Sequence, residues 1–150
     1  MNGLYIDAST LVSIALNDLA WGPKALRHIQ KYDEVMTSDL SRVECQAGLS
    51  SQLADYPDSL AAAEQNMNRI MNRLLVLSVT TSVVDMAKAL IKRYRVSIGL
   101  RSADAIHLAT ANEFKETVGS STDLRLDYLT SDRKQHRAFT AEGFEGLLWS

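Results

Sequence analysis

Short apolar runs alternate with longer amphipathic segments along this 150-residue chain. The runs predict strands at residues 4–6, 34–37, 75–79, 126–130 and 145–149. The amphipathic segments predict helices from residue 9 or 10 to about 17, from 23, from a cap at 38 or 39 to 53, over 59–73, from a cap at 81 or 82 to 95, and over 102–115 and 133–140. Because strands that alternate with helices are joined by crossovers, we expect a three-layer α/β/α sandwich with a mainly parallel central sheet.

Capping and chain-breaking residues set the ends of these elements. Ser9 or Thr10 is placed to cap the first helix, and Pro23, after Gly22, suits the first turn of the second. The polar residues 117–123 predict a flexible loop before the fourth strand. No repeat, low-complexity tract or linker interrupts the pattern, so we expect residues 1–150 to form one domain.

The composition is that of a soluble globular protein, with 46% hydrophobic and 23% charged residues. No apolar stretch approaches the roughly 18 residues that a membrane span requires. The first residues lack the basic and apolar regions of a signal peptide. Cys45 is the only cysteine, which excludes an internal disulfide and a cysteine-rich zinc site. We therefore expect a cytoplasmic protein without membrane association.

The overall charge gives no sign of a nucleic-acid partner, since the formal net charge is −2. Basic residues nevertheless cluster at two places, one of them directly after Asp132. The first holds Lys88, Lys92, Arg93, Arg95 and Arg101, and the second holds Arg133, Lys134, His136 and Arg137. Both clusters are explained as solvated helix faces. The second cluster has an alternative explanation, in which it attracts an anionic substrate towards the carboxylates.

Four carboxylates occupy positions that an α/β fold would place at the edge of the sheet where its active site lies. Asp7 and Asp132 follow predicted strands. Glu44 lies near the second turn of a predicted helix, and Asp104 lies in the first turn of another. Ligands of open α/β sheets bind beyond the carboxyl ends of the strands. None of the four acids has an obvious cation nearby in sequence, and such carboxylates are costly unless they are paired or bind a metal. We therefore predict a shared divalent-cation site.

Each acid also has a purely structural explanation. Asp104 is favoured in a first turn by the helix dipole. Asp7 and Asp132 are each placed to cap the following helix. Glu44 either falls on the core-facing stripe of its helix or extends from the edge of that stripe into water. The apolar members of that predicted stripe are Leu40, Val43 and Ala47. The convergence of four segments on one edge favours the site.

A magnesium or manganese ion would remove the mutual repulsion of gathered carboxylates, because hard cations take oxygen ligands. Such a site suits phosphodiester hydrolysis, in which the ion activates water and stabilises the leaving oxygen. Four hydroxyl side chains are placed to orient the carboxylates or water: Ser9, Thr10, Thr130 and Ser131.

Two other residues near Asp104 have competing interpretations. His107 is expected to be a packed or backbone-bonded histidine, although it is also within reach of the same groove. Arg101 is either an exposed surface residue or a group that binds phosphate or a partner's carboxylate. No Gly-x-Ser-x-Gly elbow and no glycine-rich phosphate loop occur in the chain.

Four segments of the sequence carry a resemblance to a known family. They are Tyr-Ile-Asp-Ala-Ser around Asp7, Ser-Arg-Val-Glu ending at Glu44, Gly-Leu-Arg-Ser-Ala-Asp-Ala-Ile-His-Leu-Ala-Thr-Ala around Asp104, and Leu-Thr-Ser-Asp ending at Asp132. Together they resemble the PIN domain family and, within it, the VapC-type toxins of bacterial type II toxin–antitoxin pairs. The resemblance covers essentially the whole chain, and the segment around Asp104 is its most specific part.

This resemblance implies a parallel-sheet sandwich with the activity of a Mg²⁺- or Mn²⁺-dependent endoribonuclease. The four acids match the family's catalytic, metal-binding positions, of which Asp7, Glu44 and Asp104 are expected to hold the principal ion. The family also implies a homodimer and a small DNA-binding antitoxin of the VapB kind, whose C-terminal segment occupies the active-site groove. Ser9 and Ser131 are expected to support the acids, and Arg101 and Arg133 are candidates for binding the substrate. Asp123 and Asp127 are alternative acids, but neither follows the fourth predicted strand.

Two other functions stay open. A catalytically weak PIN-fold module would bind RNA or a partner, and its acids would only hold an ion or cap helices. An aspartate-dependent phosphohydrolase of the dehalogenase type would want Asp-x-Asp near the first strand, where this chain has Asp7-Ala8-Ser9.

Overall fold

A sheet and two layers of helices form the fold. The computed structural model describes residues 1–16, 22–120 and 123–148. Its strands are β1 (Asn2–Ile6), β2 (Glu34–Ser38), β3 (Leu75–Leu77), β4 (Arg125–Thr130) and β5 (Glu145–Leu148). Its helices are α1 (Ala8–Ala15), α2 (Gly22–Ile29), α3 (Asp39–Gln52), α4 (Pro57–Met71), α5 (Thr81–Tyr94), α6 (Ser102–Gly119) and α7 (Arg133–Ala141). Within these described ranges, no helix is long and apolar enough to cross a membrane.

The five strands of the described chain are parallel and lie in the order β3-β2-β1-β4-β5. The chain builds outward from β1 to β3, then returns to the other side of β1 and continues with β4 and β5. The strand order therefore reverses between β1 and β4, where open α/β sheets bind their ligands. The predicted α/β/α sandwich with a mainly parallel sheet is confirmed.

The alternation of side chains along β1 separates two hydrophobic cores. Tyr5 packs in the cluster that also holds apolar residues of α5, α6 and α7. Leu4 and Ile6 point to the opposite face, into the cluster that holds residues of α1 to α4. Because side chains of a strand alternate between its faces, β1 is buried on both sides and carries its C-terminal end to the middle of the sheet edge.

The starts of two helices differ by a residue or more from the predicted caps. Asp7, rather than Ser9 or Thr10, caps α1, and its Oδ1 accepts the backbone N–H of Thr10 at 3.1 Å. Thr80, one residue before the predicted cap, caps α5. A short side chain that caps a helix precedes the first helical residue, so patterns of apolar residues locate it poorly. The predicted end of the first helix at residue 17 lies outside the described residues.

Other boundaries move by two to four residues. Helix α6 ends at Gly119 rather than at 115, so the predicted loop at 117–123 begins as helix, and its residues 121–122 lie outside the described part. Helix α4 begins at Pro57, because proline suits the first turn of a helix. Strand β3 ends at Leu77, two residues early. The predicted end of β5 at residue 149 is not among the described residues.

The buried face of α3 is not the predicted stripe. The helix buries Ser41, Cys45 and Leu49, whereas Val43 is 68% exposed. The small residues Ser41 and Cys45 let the helix lie close to the strand ends, and Ser41 Oγ lies 2.6 Å from Thr37 Oγ1. Glu44 therefore lies at the edge of the buried face. The sequence-based placement of Glu44 on the core-facing stripe is wrong.

Candidate active site

A cavity of about 440 Å³ lies at the carboxyl edge of the sheet, beside the reversal of strand order. All four acids singled out from the sequence line it, although they come from four separate segments. The acids are Asp7, Glu44, Asp104 and Asp132. The same cavity is lined by Ser9, Arg101, His107 and Gln135. The structure thus brings together the acids that the sequence placed on one edge.

Asp7 is held rigidly at the end of β1. Its carboxylate is 5% exposed, and its Oδ1 accepts hydrogen bonds from Thr10 N and from Ser9 Oγ at 2.8 Å. Its Oδ2 accepts a hydrogen bond from Thr130 Oγ1 at the end of β4, at 2.5 Å. Asp7 therefore caps α1, as its structural explanation required, and at the same time faces the cavity. The two roles are compatible because one carboxylate has several acceptor positions.

Asp104 lies in the first turn of α6 and is 7% exposed. Its Oδ2 accepts the backbone N–H of Arg101 at 3.1 Å. Its Oδ1 has no hydrogen-bond partner in the described parts of the chain. On the same helical face, Leu108 and Ala111 are buried as predicted. The helix thus anchors Asp104 by its apolar face and leaves one carboxylate oxygen for a ligand.

Glu44 is oriented by a buried histidine. His107 is 2% exposed, and its Nε2 lies 2.5 Å from Glu44 Oε1. The other ring nitrogen, Nδ1, lies 2.7 Å from Tyr5 Oη. A tyrosine hydroxyl donates to Nδ1 most simply when Nε2 carries the ring proton and donates to the carboxylate. His107 is thus packed, as expected, but it is bonded to side chains and belongs to the lining of the cavity.

Asp132 is partly exposed, with a side-chain exposure of 33%, the same as that of Glu44. Its Oδ1 caps α7 by accepting hydrogen bonds from Lys134 N at 2.7 Å and Gln135 N at 3.0 Å. Its Oδ2 lies 3.9 Å from Arg101 Nη2, and Arg101 Nε lies 3.6 Å from Asp104 Oδ2. The expectation that no cation near in sequence neutralises these acids is therefore wrong for Asp104, because Arg101 lies three residues before it and contacts it; the same arginine also reaches Asp132.

The two supporting serines form a chain of hydroxyls. Ser131 Oγ donates to Ser9 Oγ at 2.8 Å, and Ser9 Oγ donates to Asp7 Oδ1. Ser131 and Arg133 are exposed and are not among the residues that line the cavity itself. The alternative acid Asp127 lies within β4 and is bonded to Tyr32 and Arg125, which removes it from this site.

Burial and the carboxylates of the site raise the pKa of two neighbouring groups, Cys45 and Tyr5. Burial raises the pKa of Cys45 to about 12, and the negative charges of Glu44 and Asp7 add to that rise. Burial also raises the pKa of Tyr5 well above its usual range, with the same two carboxylates contributing. Burial is the main cause of the raised pKa in both groups, and a smaller part comes from the negative charges of Glu44 and Asp7 at the cavity. The site is therefore suited to a cation.

The donor set fits a hard divalent cation, but the side chains do not enclose one. Within residues 1–16, 22–120 and 123–148, no group of three or more His, Cys, Asp or Glu side chains is spaced to hold a metal ion directly. Carboxylate oxygens are the ligands that magnesium and manganese prefer, and magnesium usually keeps several waters. The cavity has the volume for those waters, so the chemistry of the residues fits a partly hydrated ion.

Gln135 lines the cavity and was not identified from the sequence. It is 3% exposed, and its Nε2 is the buried side-chain atom without a hydrogen-bond partner in the described residues. A buried donor without a partner costs about 1–3 kcal/mol. Its position three residues after Asp132, in a run of polar residues, gave no signal that distinguished it from a solvated helix residue.

Gln135→Met is expected to leave the free energy of unfolding unchanged or to raise it by about 1 kcal/mol, because it removes the unpaired amide and keeps most of the volume. Chemical denaturation of the two proteins measures the difference. Gln135→Ala serves as the control and is expected to destabilise the protein, since it leaves a hole in a buried position. A methionine variant as unstable as the alanine variant would show that the amide has a stabilising partner.

The sequence and the fold both match known proteins. The PIN domain family model matches residues 4–138. The crystal structure of Mycobacterium tuberculosis VapC20, described as a sarcin-ricin loop cleaving toxin, shares 20% identity over 94% of this chain and 95% of that chain, with a TM-score of 0.66. VapBC2 from Rickettsia felis, bound to a DNA fragment from its promoter, shares 14% identity over 99% of both chains, with a TM-score of 0.65.

A third similar structure is DNA-bound VapBC from Salmonella typhimurium, with 16% identity over 100% of both chains and a TM-score of 0.63. At these identities the likeness establishes a shared fold. No curated protein matches the sequence.

Proposed function

We propose that this chain, which belongs to the PIN domain family, is a divalent-metal-dependent endoribonuclease and the toxin of a toxin–antitoxin pair. The observation that carries the proposal is the meeting of four carboxylates from separate segments in one cavity at the carboxyl edge of the sheet. The solved structures of similar fold, which include toxins and toxin–antitoxin complexes, support the assignment to a toxin.

In this proposal Asp7, Glu44 and Asp104 hold the principal ion, Mg²⁺ or Mn²⁺, and Asp132 supports it through water or helps to hold a second ion. A bound divalent cation would supply an activated water for attack on the phosphodiester and would stabilise the leaving oxygen. The chain itself fixes the geometry, because both oxygens of Asp7 are already hydrogen bonded and Asp104 is anchored by α6.

Four further side chains have roles around these acids. Ser9 and Ser131 orient Asp7 through their chain of hydroxyls. Arg101 lies at the mouth of the cavity with its side chain 62% exposed, where its guanidinium would bind a phosphate oxygen of RNA. Arg133, exposed at the start of α7, would hold the RNA backbone outside the cavity.

The proposed partners are an RNA substrate, a small DNA-binding antitoxin of the VapB kind and a second copy of this chain. The antitoxin would silence the enzyme by placing its C-terminal segment in the groove over the carboxylates. We propose a cytoplasmic location for the pair, since its substrate would be cellular RNA.

Purified protein, free of antitoxin, is expected to cleave RNA in Mg²⁺ or Mn²⁺ and to stop when EDTA is added, because carboxylates alone cannot stabilise the leaving oxygen. Gel electrophoresis of total RNA measures the cleavage. Restoration by excess Mg²⁺ is the control for damage by the chelator. Cleavage that persists in EDTA would exclude the proposed mechanism.

A catalytically weak binding module is the second candidate. Two observations favour it: Asp7 and Asp132 both cap helices, and the described acids are not spaced to enclose an ion. Metal binding measured by calorimetry, together with no cleavage of any RNA tested, would support this module over the nuclease.

A further inference from the structure

The fold separates the basic residues of the two sequence clusters into paired and unpaired groups. Arg93 Nη1 lies 2.9 Å from Glu142 Oε1, and Lys88 Nζ lies 3.8 Å from Asp85 Oδ1. His136 is half-buried, and its Nδ1 is hydrogen bonded to Tyr128 Oη. Six exposed residues remain. Lys92 lies on α5, and the other five, which lie in the loop of residues 95–101 and in α7, form what we call the basic rim. The basic rim consists of Arg95, Arg101, Arg133, Lys134 and Arg137.

The basic rim is organised around the loop of residues 95–101, which joins α5 to α6. Arg95 Nη1 donates to Leu100 O at 3.4 Å, and Arg137 Nη2 donates to Ser97 O at 3.4 Å. Gly99 has φ of 76°, a left-handed conformation that favours glycine, and a Cβ placed there would lie 3.8 Å from Lys134 Nζ. Cations that are about 40 residues apart in sequence thus share one surface.

The charges of the basic rim are not neutralised on the protein. Among the described residues, Arg101 is the one member with a carboxylate within 4.0 Å, and its partners are Asp104 and Asp132 of the cavity. The other four members have no such partner in the described ranges. The rim therefore forms an uncompensated strip of positive charge that begins at the cavity and extends over the loop to α7. This strip is consistent with a formal net charge of −2, because the field is local.

We propose that the basic rim is the path along which single-stranded RNA enters the cavity, with its phosphates on the arginines. This inference rests on the proposed function, since it identifies how the substrate of that same site is held. Four of the five members are arginines, whose planar guanidinium groups match phosphate oxygens.

The test compares two triple variants, each of which loses three positive charges. Their affinity for fluorescein-labelled oligouridine is measured by fluorescence anisotropy in the presence of EDTA. The rim variant carries Arg95→Gln, Lys134→Gln and Arg137→Gln. The control variant carries Arg69→Gln, Arg73→Gln and Lys88→Gln, which lie outside the rim. Arg101 and Arg133 stay unchanged, so that the residues proposed for the cavity and its mouth are intact. Circular dichroism verifies that both variants are folded.

The rim variant is expected to bind at least about tenfold more weakly at about 50 mM salt. It is also expected to reduce the slope of log affinity against log salt by about 2, because each phosphate contact of a single strand contributes about 0.7. The control variant is expected to keep both the affinity and the slope of the unmodified protein.

Equal weakening by both variants would overturn the proposal, because it would show a response to net charge. Unchanged RNA binding by the rim variant, with lost binding of an acidic peptide, would assign the rim to a protein partner and would also overturn it. Because binding is measured in EDTA, a protein that binds oligouridine through the rim but never cleaves RNA would refute the proposed nuclease and leave the rim intact.

Discussion

Asp104→Asn is expected to lower RNA cleavage by roughly 10²–10³-fold while the protein stays folded. The asparagine retains an oxygen that accepts the Arg101 backbone N–H, so the first turn of α6 keeps its cap. It loses the negative charge and one hard oxygen ligand at the position where the carboxylate has a free oxygen. Initial rates of RNA cleavage at saturating Mg²⁺ measure the loss, and the melting temperature measures the fold.

Asp127→Asn is the matched control for this substitution, because both aspartates are 7% exposed. Asp127 is bonded to Tyr32 and Arg125 away from the cavity, so its variant is expected to lose stability rather than activity. If the two variants cleaved RNA equally well, Asp104 would have no catalytic role. If Asp104→Asn were inactive only because it was unfolded, the melting curves would reveal it.

His107→Leu is expected to lower both the affinity for Mg²⁺ and cleavage by about 10–100-fold, because Glu44 would lose the donor that orients it. It is also expected to destabilise the fold by about 1–3 kcal/mol, since the buried hydroxyl of Tyr5 would lose its acceptor. His107 acts through Glu44 and is a positioning residue. Metal titration of the cleavage rate separates this role from a loss of stability, because excess Mg²⁺ would then recover part of the rate.

Tyr5→Phe is the control for His107→Leu. It removes the hydroxyl that bonds to the far side of the imidazole and leaves the contact between His107 and Glu44 in place. We expect a change in stability with a much smaller change in the dependence on Mg²⁺. A His107 variant whose Mg²⁺ dependence equals that of the unmodified protein would show that the histidine is only a packing residue.

The parallel sheet and the position of the site at its carboxyl edge could be predicted from patterns that are local in the sequence. Apolar runs of three to five residues separated by amphipathic segments predict parallel strands with crossovers, and the observed strand order agrees with that class. Asp7 and Asp132 could be placed at the carboxyl edge because each comes within two residues of the end of a strand. Their second role as helix caps was equally visible, since short acidic side chains at that position favour both.

The contacts between distant segments were not predictable from the sequence. The face of α3 depends on the small residues Ser41 and Cys45, which pack closely although they are not the most apolar members of the helix. The bond between His107 and Glu44 joins residues 63 positions apart, and no local pattern encodes it. The basic rim likewise exists only because α7 lies against the loop of residues 95–101.

The chemical ends of the RNA fragments test most directly whether this cavity hydrolyses RNA with a metal-activated water. We expect purified protein in Mg²⁺ or Mn²⁺ to leave 5′-phosphate and 3′-hydroxyl ends, and we expect no such fragments in EDTA or from Asp104→Asn. Mass spectrometry of the products identifies the ends. Fragments that carry 2′,3′-cyclic phosphates, or equal amounts of fragments from Asp104→Asn, would contradict the proposed function.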